Sequence, residues 1–191
     1  MAINFSGFGT QSQPAGWQKI TQVYSSTNVD YVIIDNLHTA GQTVNYRGFK
    51  IVGSFVPATN NAHMHVNFRY NSSTYTSSSY YYGKQGTYPT DNQYLSSHGG
   101  VGYMRIINNG GNQTHEGQRI NLEIYPQNSS MGNYLGNFMT WTTIRLDGDT
   151  NFRTETGAGY FNDNTQMNGI RIGYNTGQVA ITNYTLYGLT H

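Results

Sequence analysis

Ile120-Asn121-Leu122-Glu123-Ile124-Tyr125 and His63-Met64-His65-Val66-Asn67-Phe68-Arg69-Tyr70 carry an apolar residue at every second position. Successive side chains of an extended strand point to opposite faces, so Ile120, Leu122 and Ile124 share one face while Asn121 and Glu123 share the other. In the second stretch Met64, Val66 and Phe68 oppose His63, His65, Asn67 and Arg69, which reads as one buried face and one solvated polar face. Outward from these two stretches, the same alternation marks strands at Trp17 to Tyr24, Val29 to Asp35, Phe49 to Val56, Val101 to Asn108, Asn137 to Leu146, Phe152 to Phe161, Met167 to Tyr174 and Val179 to Leu189. No window keeps the i, i+3, i+4, i+7 spacing of an amphipathic helix over three turns. The expected fold is all-β, two packed antiparallel sheets of about ten strands. Asn109-Gly110-Gly111-Asn112, Asp147-Gly148-Asp149 and Asn175-Thr176-Gly177 supply residues that tolerate positive φ, and they read as hairpin tips.

The 191 residues are enough for one core, burying roughly 70% of the surface that the unfolded chain exposes. One domain over 16–191, preceded by a short arm over 1–15, is therefore expected. Residues 71–100 stand apart: Ser, Thr, Tyr and Gly dominate, and Tyr75, Tyr80, Tyr81, Tyr82, Tyr88 and Tyr94 accumulate with almost no aliphatic residue between them. This predicts a long exposed excursion. Its Tyr and Ser content suits a contact surface, and a poorly paired outer strand with decorative tyrosines is the alternative.

Charged residues make up 10% of the chain, against about 25% in ordinary domains, so the surface is polar mainly through amides and hydroxyls. With a net charge of +1 and ten basic residues scattered singly, no stripe exists to neutralise a run of phosphates, and nucleic acid is not an expected partner. No cysteine is present, which removes disulfides, thiolate zinc sites and a cysteine nucleophile. Neither a secretory signal pattern at the amino end nor a run of eighteen apolar residues is found; no membrane span is expected, and the product starts out soluble in the cytoplasm.

Motifs for chemistry are few. Asp147-Gly148-Asp149-Thr150-Asn151 has the alternating oxygen ligands of a calcium loop, but Phe152 and Ala158 stand where the helix-loop-helix site needs Gly and Glu. A turn is the simpler reading, with a looser calcium site near Asp147 and Asp149 left open. His63 and His65 share a strand face without a third ligand, and His115-Glu116 lacks the second histidine of a zinc protease. A glycosidase would need two carboxylates from Glu116, Glu123, Asp147, Glu155 and Asp163. Spacing pairs none of them. No nucleotide fingerprint or nucleophile elbow occurs, so neither an enzyme nor a cofactor is expected. Trp17 and Trp141 lie in strand patterns beside aliphatic residues; burial is their default reading and exposed sugar stacking the sharper one.

Trp141-Thr142-Thr143-Ile144-Arg145-Leu146, Met167-Asn168-Gly169-Ile170-Arg171-Ile172 and Ile181-Thr182-Asn183-Tyr184-Thr185-Leu186-Tyr187-Gly188-Leu189 together resemble the ending of bacteriophage virion jelly-roll proteins, many of them from marine and cyanobacterial phages. Gly16-Trp17-Gln18-Lys19-Ile20 and Arg47-Gly48-Phe49-Lys50-Ile51 are similar to the early strands of that group. Asn183-Tyr184 departs from the small-residue bend that often precedes the last strand there, as does the tyrosine-rich middle. The resemblance implies a jelly-roll β-sandwich at the virion surface. Within that group it favours a capsid decoration or cement subunit, a homotrimer that binds itself and the major capsid protein or another virion protein. The alternative is a receptor- or glycan-binding domain of a spike, fibre or tail appendage, with a host surface glycan as partner. Phe5 and Phe8 on the arm, and Tyr75, Tyr80, Tyr81, Tyr82 and Tyr88 in the middle, are the expected contact residues.

Overall fold

A computed structural model describes residues 16–37, 46–87, 93–112, 118–126, 136–146, 152–163 and 165–190. The arm residues Phe5 and Phe8, together with Tyr88, Glu116, Asp147 and Asp149, lie outside these, and so does the calcium-loop reading. The described residues form thirteen strands: β1 (Trp17–Ser25), β2 (Tyr31–Ile34), β3 (Gly48–Pro57), β4 (Ala62–Tyr70), β5 (Ser73–Thr74), β6 (Tyr80–Thr87), β7 (Gln93–Val101), β8 (Met104–Gly110), β9 (Gln118–Tyr125), β10 (Asn137–Leu146), β11 (Phe152–Phe161), β12 (Gly169–Tyr174) and β13 (Val179–Leu189). They build two packed antiparallel sheets, and among the described residues there is no helix.

The large sheet runs β1-β13-β3-β9-β10-β11-β6-β7. The small sheet runs β2-β12-β4, with β8 and the two-residue β5 paired to successive parts of β4. The pairing is nested: β1 and β3 both pair with β13, β2 and β4 with β12, and then β3 meets β9 and β4 meets β8. Two insertions widen the large sheet beyond β9, one contributing β10 and β11, the other β6 and β7.

The core lies between the sheets. Ile51 and Phe55 of β3, Ile120, Leu122 and Ile124 of β9, and Trp141 of β10 face Met64, Val66 and Phe68 of β4 and Ile170 and Ile172 of β12; all are buried. Apolar burial of this kind contributes about 25 cal/mol per Å² and is the main favourable term holding the sandwich together.

Three expectations need correction. Residues 71–100 are not an exposed excursion: most of them are β5, β6 and β7, and the latter two close one side of the large sheet. Tyr80 and Tyr82 therefore point into the core. Tyr80 stacks 6.3 Å from Phe68, packs 4.6 Å from Phe161, donates its hydroxyl to the Tyr75 carbonyl and accepts from the Phe68 amide. Second, the polar face of β4 is not solvated. Asn67 donates to the Tyr75 and Gly102 carbonyls, and Arg69 forks onto Asp35 while bonding Thr74 and the Ser72 carbonyl, so neighbouring turns cover these side chains and satisfy them. Third, Asn175-Thr176-Gly177 and Asn109 to Asn112 are not hairpin tips, because each carries the chain from the small sheet to the large one. Gly177 does take a positive φ of 72°, and a Cβ there would sit 2.2 Å from Thr59 Oγ1. Of the two tryptophans, Trp141 is buried and Trp17 is only partly so, with Lys50 Nζ 5.3 Å over its ring.

Candidate binding face

The alternation that buries one side of β9, β10, β11, β6 and β7 displays the other side as a grid, one residue from each strand per row. The first row is aromatic: Tyr125, Phe138, Tyr160 and Tyr81 are successive cross-strand neighbours. Tyr81 and Tyr160 stack at 5.2 Å with planes 11° apart, and Phe138, Tyr160 and Tyr81 keep 40%, 40% and 37% of their surface exposed. Glycines close both ends of the row. A Cβ on Gly48 would lie 3.0 Å from the Tyr125 ring and one on Gly99 2.8 Å from the Tyr81 ring, so each terminal ring rests on bare backbone.

The next two rows are small and polar: Glu123, Thr140, Ala158, Gly83 and Ser97, then Asn121, Thr142, Thr156, Gln85 and Leu95. Because these side chains are short beside the ring row, they floor a groove of about 540 Å³. Leu95, 84% exposed on the edge strand, stands at one end. Asn121 and Glu123 stand at the other, and the Oδ1 atom of Asn121 is buried without a hydrogen-bond partner among the described residues. Beyond the floor Thr87 and Thr154 hydroxyls meet at 2.9 Å, and Ile144 is exposed.

Among its described residues this face carries one ion pair, and the exposed Arg119 of β9 stands opposite Ile144 in the row beyond the floor. Lys50 donates to Glu123 at 3.0 Å, and that bond, with a second from the Tyr125 hydroxyl, holds the Glu123 carboxyl below its usual range. Burial and the neighbouring carboxylate push the Tyr125 hydroxyl the other way, so it stays a neutral donor.

The opposite side of this sheet hides a second lysine–glutamate pair. Glu155 is fully buried, 3.2 Å from Lys84 and bonded also by Arg145, the Tyr94 hydroxyl and the Asn108 amide. Burial raises the Glu155 pKa and lowers that of Lys84. Since Glu123 and Glu155 lie on opposite faces, they do not flank a common cleft. Asp163 accepts from the Thr165 amide in a turn.

On the outside of the small sheet the Arg171 guanidinium lies 4.2 Å over the Tyr31 ring, and His65 sits between Tyr31 and Tyr103 at 6.4 and 5.1 Å. His65 is buried rather than solvated; desolvation, then the charges of Arg171 and Arg105, lower its pKa to about 4. His63 accepts from the Asn109 amide through Nδ1. Among the described residues no group of three His, Asp or Glu side chains is placed to hold a metal ion, and no helix is long and apolar enough to cross a membrane.

Of the expected contact residues that the structure describes, only Tyr81 reaches the exposed face. Tyr75 packs 5.5 Å from Phe161 beneath the small sheet, Tyr80 and Tyr82 are core, and Phe5, Phe8 and Tyr88 fall outside the described residues. Phe138 and Tyr160 were within reach of the same alternation rule: in strands whose inward residues are Met139, Trp141 and Phe161, they occupy the outward positions. Compared with protein-family models, curated proteins and solved structures, the chain matches none.

Proposed function

We propose that this protein is a non-catalytic structural subunit of a bacteriophage particle, a jelly roll that decorates the virion surface and acts by docking. The observation that carries this reading is the nested pairing of β1-β13-β3-β9 in one sheet and β2-β12-β4-β8 in the other, the order that supports reading the sandwich as a jelly roll enlarged by two insertions. The segments similar to phage virion proteins become neighbours in it. Trp17 pairs with Leu189 and Leu189 with Gly48, while the Arg47 amide donates to the Leu189 carbonyl and the Thr190 amide to the Gly16 carbonyl. Opening, central and closing motifs thus make one corner of the large sheet.

A charge-poor face repeated on a symmetric lattice gains strength through multiplicity, since each copy raises the effective concentration of its neighbours' contacts. Purified protein should bind saturably to phage heads lacking it and run as a trimer in light scattering. Binding to host cells with none to heads would overturn the decoration role and favour the receptor-binding alternative, for which the aromatic row is the specific support.

A further inference from the structure

We propose that the groove on the outer face of the large sheet is a binding site for a neutral polysaccharide strand, laid across β9, β10, β11, β6 and β7 alongside the aromatic row. The inference stands apart from the docking role above and can fail or succeed without it. Three features select the ligand. The rings of Phe138, Tyr160 and Tyr81 recur one per strand, about 4.8 Å apart, and together expose an apolar ridge against which the C–H groups of successive sugar rings can pack. The floor is built from hydroxyls, amides and small side chains, which can exchange hydrogen bonds with sugar hydroxyls. Across five strands the groove runs about 19 Å, room for several sugar residues.

Charge excludes the competitors. The Lys50 ammonium is bound to Glu123, Lys84 reaches Glu155 on the buried side, and the exposed Arg119 stands one row beyond the floor, so the lining of the groove itself offers no free cation to a phosphate or an acidic glycan. A second copy of this chain is a poor occupant as well. Self-association faces have an apolar centre, whereas here the centre is Thr140, Thr142 and Thr156, with the larger apolar residues at the margin.

The test is affinity electrophoresis in native gels cast with dextran, a β-1,3-glucan, a galactomannan or hydroxyethylcellulose, with alginate as the charged comparison and light scattering as the readout of self-association. The intact chain should be retarded by at least one neutral polymer and not by alginate. Phe138→Ala and Tyr160→Ala should each weaken retardation about tenfold, the scale of one lost aromatic contact, and Ile33→Ala on the small sheet should leave it unchanged. Thr142→Gln, which fills the groove while leaving the rings in place, should abolish retardation with an unaltered melting curve, and it serves if a ring variant fails to fold. The proposal is overturned by free migration of the intact chain in all four neutral gels, or by retardation that the folded groove variants keep. A dimer that these same variants dissociate would also overturn it and give the face to a second copy.

Discussion

One sheet carries a lysine–glutamate pair on each face, with nearly the same separation and opposite electrostatics. Lys50 and Glu123 lie 3.0 Å apart on the outer face with 23% and 28% of their side chains exposed; Lys84 and Glu155 lie 3.2 Å apart on the inner face with 1% and 0% exposed. Outside, water solvates both ions, the hydrogen bond dominates and the Glu123 pKa falls. Inside, desolvation dominates, so the Glu155 pKa rises and the Lys84 pKa falls despite their contact. The buried carboxylate is tolerable because Arg145, the Tyr94 hydroxyl and the Asn108 amide of β8 share it. Pair geometry alone therefore says little about what a pair contributes; its surroundings decide.

The largest effect is expected where that buried cluster is broken. Glu155→Ala takes the carboxylate from the buried Lys84 and removes one partner of the buried Arg145, and it should destabilise the fold by about 3–5 kcal/mol in urea unfolding. Replacing Glu155, Lys84 and Arg145 together by Leu, Met and Met should recover most of this; a triple variant as unstable as the single one would refute the account.

Acid tests a second buried ionisable group, on the other sheet. With a folded pKa of about 4 against about 6.5 when unfolded, His65 takes up its proton first in the unfolded chain. Its contribution is complete above the unfolded value and is lost as the pH falls from about 6.5 to about 4, on the order of 3 kcal/mol by pH 4. His63, shifted the same way, steepens the loss. His65→Gln should flatten the pH profile of unfolding, and an unchanged slope would place the acid sensitivity elsewhere.

Tyr80→Phe carries the comparison to a neutral polar group. It leaves the Phe68 amide and Tyr75 carbonyl without the hydroxyl they share, at about 1–3 kcal/mol. The smallest effect belongs to the outer pair: Lys50→Ala should cost about 0–1 kcal/mol, and that cost should shrink as salt is added. A loss as large as that of Glu155→Ala would erase the distinction between the two faces.

The sequence shows the fold best where each strand alternates aliphatic with polar residues. Asn137 to Leu146, Phe152 to Phe161 and Val179 to Leu189 are strands over the full spans read from alternation. It conceals β6 and β7 because their inward positions are Tyr80, Tyr82, Lys84 and Gly86 on one strand and Tyr94, Ser96 and His98 on its partner, none of them aliphatic. The Tyr80-x-Tyr82 spacing was the available sign, masked by Tyr81 between them. The solvated reading of His65, Asn67 and Arg69 failed because the groups that cover and satisfy them, Asp35, Tyr75, Gly102 and Tyr103, come from distant stretches that no local pattern connects. The binding face was half legible: alternation implied its outward residues, but a row of four rings exists only once strand register is known.

The nested pairing also sets an order in time. Among the described residues β1 finds its neighbour in β13 and β2 in β12, so these early strands of the sandwich wait unpaired until much later ones have been made. Contacts so distant along the chain make for folding in milliseconds to seconds rather than microseconds, and they leave both sheets open until β12 and β13 have been made. The corner where Trp17, Gly48 and Leu189 meet is thus the final seam to close, and the broad face becomes a continuous surface only when that seam is shut.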